Sequence, residues 1–162
     1  MTVHESVSPL QDRPWLKVYR ELGVTPAAPE IQERSLADYV EDHAQNRAAQ
    51  VALVYTDKGV EITWAQLDAY ANRFANLLRS LGMQKADVMG VHLPNTPQYV
   101  VALIGAAKAG VVVTGVSPLL TPTEITHQVN DAHVKILLTL DRLYASAVAP
   151  VGGDTPTLKH VL

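Results

Sequence analysis

Twice in this chain a run of strand-forming residues is cut short and handed within a few positions to a threonine–proline helix start. Asp87 to Leu93 leads to Asn95-Thr96-Pro97, and Val111 to Val116 leads through Ser117-Pro118 to Thr121-Pro122-Thr123-Glu124. Proline's fixed φ suits the first turn of a helix, where its missing N–H is not needed, and the threonine before it sits at the capping position. Glu124, three residues after Thr121, completes a capping box. Strand, short loop, helix and strand again are the parts of a βαβ unit, and their recurrence restricts the chain to an α/β architecture more tightly than any bulk property does.

Other segments extend the alternation. Ser35 to Arg47 opens on Ser35 with Asp38 three residues on and sets Leu36, Tyr39, Val40, His43 and Ala44 at helical spacing, so an amphipathic helix is predicted. Val51 to Tyr55 and Val60 to Thr63 flank Asp57-Lys58-Gly59, whose glycine admits a positive φ, and form a predicted hairpin. Thr63 with Gln66 starts the next helix, whose apolar positions run Leu67, Tyr70, Ala71, Phe74, Leu77, Leu78 and Leu81 before Gly82 stops it. Gln98 to Ala109 reads as a helix closed by Gly110, Lys135 to Thr139 as a strand, and Asp141 to Val148 as a helix. A loose stretch rich in Gly, Pro and Thr, Pro150 to Thr157, leads to the apolar end His160-Val161-Leu162. The predicted fold class is α/β, a doubly wound, mostly parallel sheet flanked by helices. Residues 1–34 are expected to form an N-terminal extension with little regular structure, and 35–162 the α/β unit. The turn from Ser117 to Thr121 lies at a strand's carboxyl end, the edge where open parallel sheets place their ligands.

Charge and composition narrow the function. The 162 residues carry a net charge of −3 and no cysteine. Disulfides, thiolate nucleophiles and cysteine-bound zinc are thereby excluded, and without a polybasic surface no nucleic-acid partner is expected. The opening MTVHESVSPLQDRP lacks the basic-then-apolar order of an export signal. In the apolar run from Tyr99 to Val116, Lys108 would cost roughly 2.5–3.5 kcal/mol at a bilayer centre, and Gly110 divides the run, so it reads as helix then strand and not as a transmembrane segment. A cytoplasmic location is expected, with peripheral contact to a membrane left open.

No complete catalytic set emerges from the residues. Phosphate-gripping glycine patterns are absent, and Gly152-Gly153-Asp154-Thr155 has neither a following helix nor a lysine beside its threonine. Gly115-Val116-Ser117-Pro118-Leu119 begins like a nucleophile elbow but lacks the second glycine, so Ser117 reads as a turn serine. His127 and Asp131 stand four apart on one predicted helix, half of a metal site with no further ligand at metal spacing. His43 reads as a packed imidazole. Lys108, in the last turn of its helix, is explained by the helix dipole.

The ordered motifs Glu61-Ile62-Thr63-Trp64-Ala65-Gln66-Leu67, Leu93-Pro94-Asn95-Thr96-Pro97, Lys108-Ala109-Gly110 and Ser117 to Glu124 resemble the AMP-forming acyl-CoA synthetases of the adenylate-forming superfamily. Arg13-Pro14-Trp15-Leu16-Lys17-Val18-Tyr19 and His127-Gln128-Val129-Asn130-Asp131 move the likeness toward long-chain fatty-acid CoA ligases. The resemblance implies a partial piece of the family's large N-terminal domain. It also implies a parent enzyme that uses ATP, Mg2+ and CoA to activate a fatty acid as acyl-AMP and pass the acyl group to CoA. The family's phosphate loop, metal-holding glutamate and adenylation lysine match nothing here. Ending at Leu162 in an apolar strand, the chain is expected to be truncated at its C-terminus, inactive alone, without tight binding of these cofactors, and open to self-association through uncovered sheet. By the resemblance the turn after Val116 lies near the CoA channel, which makes Ser117, Pro118, Leu119 and Leu120 the cofactor-binding candidates, with no catalytic and no metal residue assigned. Relatives often have Asn where Ser117 stands, and the apolar neighbours argue against direct phosphate contact. Alternative readings are a self-standing α/β interaction or ligand-binding module, or a piece of an enzyme loading an acyl carrier protein or an aryl acid.

Overall fold

Three helix starts are built from side chains within four residues of each other, and all three form as the local chemistry dictates. Ser35 and Asp38, Thr63 and Gln66, and Thr121 and Glu124 exchange side-chain and backbone hydrogen bonds in complete capping boxes. The backbone N–H groups of Ser35 and Thr121 hold the Asp38 and Glu124 carboxyls below the usual range. The computed structural model describes residues 14–24 and 33–162. The chain divides into two units, Met1–Glu33 and Arg34–Leu162. In the first, α1 (Trp15–Glu21) follows Pro14. The opening segment and most of the extension expected to have little regular structure lie outside the described residues.

The second unit begins with α2 (Leu36–Asn46), then β1 (Val51–Tyr55) and β2 (Val60–Thr63), which pair antiparallel through a turn closed by Gly59 at φ 60. From there α3 (Trp64–Ser80), β3 (Val88–His92), α4 (Pro97–Ala109), β4 (Val112–Gly115), α5 (Pro122–Asp131) and β5 (Val134–Thr139) alternate, and β6 (His160–Val161) ends the order. Gly110, at φ 74, terminates α4 in the left-handed conformation that glycine tolerates. Every pairing in the four-stranded sheet is parallel and the strand order is β4-β3-β5-β6. Of the two faces, one packs Met89, Val91 and Ile136 against Leu78 of α3 and Ala102 and Ala106 of α4. The other packs Val134 and Leu137 against Ile125 and Val129 of α5 and Ala147 and Val148 beyond β5. Helices on both faces of a parallel sheet make the doubly wound α/β layer that was predicted.

Three details depart from the sequence reading. The buried face of α2 is Ala37 and Val40, while Leu36 and Tyr39 are exposed, with the Arg34 guanidinium 4.6 Å from the Tyr39 ring centroid. On α3 the buried line is Leu67, Ala71, Ala75 and Leu78, not Tyr70 or Leu77, because α4 approaches closely: a Cβ on Gly105 would lie 2.8 Å from the Ala71 carbonyl oxygen. Gly105 meets Ala71 and Phe74 of α3 there. The predicted helix from Asp141 to Val148 is a single α turn followed by a π segment, Tyr144–Val148, and the expected loose stretch starts in a 3₁₀ segment, Ala149–Asp154. Among the described residues no helix is long and apolar enough to cross a membrane.

Candidate ligand edge of the sheet

The strand order places the topological switch point. From β3 the chain runs through α4 on one face to β4; from β4 it crosses through α5 on the other face to β5, on the far side of β3. The crevice where connections diverge lies outside the carboxyl ends of β3 and β5, the position at which doubly wound sheets hold ligands. Those ends are His92 and Thr139, paired in register. His92 is fully buried at 0% exposure, its Nδ1 lies 3.2 Å from Thr139 Oγ1, and its Nε2 has no hydrogen-bond partner among the described residues. Burial pushes the imidazole below the usual histidine range. Sequence reading passed over His92, whose one signal is a histidine closing a strand pattern; its meaning depends on strand order. Nearby, Ile62, Tyr70, Phe74, Pro97, Val101 and Leu138 line an apolar pocket of about 320 Å³. Thr96, the residue before α4, makes no side-chain cap, and its buried hydroxyl has no partner among the described residues.

The turn proposed from the resemblance lies at the carboxyl end of β4, an edge strand one place from the switch point. Ser117 Oγ accepts from the Leu119 N–H at 3.3 Å and the Ser117 carbonyl accepts from the Leu120 N–H at 3.2 Å, so the serine closes its own turn. Leu119 projects into solvent at 92% exposure, whereas Leu120 packs on the core face of α5. Gln128 of α5 ties down the strand end by donating to the Gly115 carbonyl at 2.8 Å. Ser117, Pro118, Leu119 and Leu120 are thus contiguous, but the fold does not bring them together with any charged pair.

Among the remaining candidates, His127 and Asp131 are both exposed and share no hydrogen bond with each other. His43 packs edge-on against Trp64, with ring centroids 4.6 Å apart at 73°. Lys108 does more than complement a dipole: its side chain is 6% exposed and ion-pairs with Glu41 of α2 and with Asp68 of α3 at 2.9 Å. ATP and Mg2+ would need phosphate-facing N–H cradles and converging carboxylates. Among the described residues no three His, Asp or Glu side chains converge on a metal position, and Asp38, Glu41, Asp68, Asp87 and Glu124 are engaged by caps or by lysines. The described residues do not fit a Mg2+ or nucleotide-phosphate site.

Residues 40–162 match the model of a family described as AMP-binding enzyme. The chain is similar to a long-chain-fatty-acid–CoA ligase of Escherichia coli O6:H1, with 33% identity over 149 residues, 91% of this chain and 26% of that protein. It is also similar to one of Bacillus subtilis strain 168, with 31% identity over 136 residues, 84% of this chain and 24% of that protein. The crystal structure of anthranilate CoA ligase AuaEII with anthranoyl-AMP superposes with a TM-score of 0.74 at 25% identity, covering 79% of this chain and 24% of that one. The chain therefore spans about a quarter of the length of the relatives it matches.

Proposed function

The chain belongs to the family of AMP-binding enzymes, and from that premise we propose that it forms one α/β layer of a ligase that activates a long-chain fatty acid and loads it onto CoA. The observation that carries this reading is the likeness to long-chain-fatty-acid–CoA ligases across 91% of the chain. A carboxylate is a poor acyl donor. Its attack on the α-phosphate of ATP expels pyrophosphate and creates a mixed anhydride, and the CoA thiolate then attacks the acyl carbon and expels AMP. Such steps require cations and N–H donors around the phosphates. The described residues supply the sheet and its covering helices, and the reacting groups belong to the part of the relatives' length that this chain does not span.

The 162-residue chain alone is accordingly inactive, with no tight hold on ATP, Mg2+ or CoA. The turn Ser117-Pro118-Leu119-Leu120 is its CoA-side lip, a role supported by its place at a carboxyl strand end and by the exposure of Leu119. The outer edges at β4 and β6, with Val112 and Val161 exposed, support self-association of the isolated chain. ATP–pyrophosphate exchange with a panel of carboxylic acids tests the reading. Exchange with long-chain acids by a family-length protein carrying these residues, and none by the 162 residues, is the expected result. Turnover by the 162 residues alone, or preference for an aryl acid, overturns it.

A further inference from the structure

His92 stands apart from every role assigned above. It closes the central strand at the switch point, is the largest polar side chain buried at 0% exposure, and links two strand ends that lie 47 positions apart in the chain. A buried imidazole nitrogen without a partner is an unmet desolvation cost, and native folds seldom keep one without use. Nothing close by would welcome an added charge. Burial lowers the imidazole's proton affinity. On α5, packed over the same face, Glu124, His127 and Asp131 are exposed; on the segment after β5, Asp141, Arg142 and Tyr144 are exposed. Asp87 and Lys135 pair with each other at the opposite, amino-terminal ends of β3 and β5. Among the described residues no carboxylate pairs with His92.

We propose that His92 is a proton-operated latch on the ligand edge of the sheet: neutral, it holds the carboxyl ends of β3 and β5 together through Thr139; protonated, it cannot remain buried and the edge opens. The two loops so released are Leu93 to Thr96, which leads into α4, and Leu140 with the turn after it, the lips of the switch-point crevice. The inference rests on strand order and burial and holds whether or not the ligase reading does. The sign follows from linkage: a histidine kept neutral in the closed form binds its proton only on opening. Closure is therefore fully favoured above the ordinary histidine value and weakens as pH falls below about 6.5, by up to roughly tenfold in the closing equilibrium per pH unit until the closed-state value is reached.

Amide hydrogen exchange on the 162-residue chain between pH 7.5 and pH 5, corrected for intrinsic rates, tests the latch at Val91 to Leu93 and Leu138 to Leu140. Protection at these amides is expected to fall by about tenfold per pH unit below about 6.5 in the native sequence and to stay flat in His92→Met. Equal pH dependence in both, or none in the native sequence, overturns the proposal. Should His92→Met fail to fold, NMR titration of the native His92 ring decides. A ring that stays neutral well below pH 6.5 while the strand-end amides lose protection sustains the latch, and one that titrates at the ordinary value in an intact fold refutes it.

Discussion

Lys108 joins three helices, and cutting its pair with Asp68 will cost the fold more than any surface ion pair is worth. The ammonium leaves the last turn of α4 with its side chain 6% exposed, meets Asp68 of α3 at 2.9 Å and pairs with Glu41 of α2. Asn72 donates to the second Asp68 oxygen at 2.9 Å, and Arg79 donates to the Lys108 carbonyl at 2.9 Å, so both ends of the contact are held. Burial pulls the ammonium toward neutrality, but the hydrogen bonds and charges of Glu41 and Asp68 outweigh it and keep its pKa above the ordinary lysine value. Exposed pairs contribute about 0.2–1 kcal/mol, whereas removing one partner of a buried pair costs about 3–5 kcal/mol. Glu41, at 49% exposure, survives in an Asp68→Asn chain, which places the loss nearer 2 kcal/mol, or roughly 4–8 °C in Tm for a chain of this size. A double-mutant cycle of Asp68→Asn with Lys108→Met, followed by urea unfolding with the m-value unchanged, isolates the pair and is expected to give a coupling of about 1.5–2 kcal/mol. Because the folded pKa of Lys108 is raised, the stabilisation is fully present below the unfolded lysine value and is lost as pH rises through the folded one, so the coupling persists unchanged from pH 7 to pH 9. A coupling below about 0.5 kcal/mol would refute the buried-pair argument and return Lys108 to the class of surface charges.

Asp87, with its side chain 14% exposed, accepts from Lys135 at 2.5 Å and from the Gln84 N–H, which together hold its carboxyl below the ordinary 3.8. Its stabilisation is therefore present above that value and lost as pH falls through the folded one. Asp87→Asn should cost about 1–2 kcal/mol at pH 7 and flatten the acid limb of a circular-dichroism melt series. Gly105→Val must push α4 away from the Ala71 carbonyl and from Phe74 Cβ, 2.8 and 3.0 Å from where the new Cβ would sit; a loss of about 2–3 kcal/mol in urea unfolding is expected, and a neutral result would show that the helices can part freely. Ala86 holds φ at 69 while donating its N–H to the Gly110 carbonyl, so Ala86→Gly should stabilise the chain by up to about 1 kcal/mol; any destabilisation would mean the left-handed backbone there is not strained.

What was legible in the sequence divides along the range of the interaction that decides each feature. The capping boxes at Ser35, Thr63 and Thr121 are closed by partners three residues away, and their residue types announce them. Strand–helix alternation likewise follows from local periodicity, which suffices for the fold class. Periodicity found Leu67, Ala71 and Leu78 on the buried side of α3 but added Tyr70 and Leu77, which are exposed, and passed over Ala75. The close crossing of α4 at Ala71 and Phe74 leaves no room for a side chain at Gly105, a constraint set by another helix. Lys108 was explained by its own helix dipole, and its partner Glu41 lies 67 positions away. The switch point is the most remote property of all. It exists only once β4 and β5 settle on opposite sides of β3, and nothing in the run Val88 to His92 tells which neighbour comes next. The strand-end rule and the resemblance both directed attention to the turn at Ser117, which lies at the carboxyl end of β4, one strand from the paired ends of β3 and β5. For a doubly wound layer, the strand order must be known before a buried histidine at a strand end can be told from an ordinary core residue.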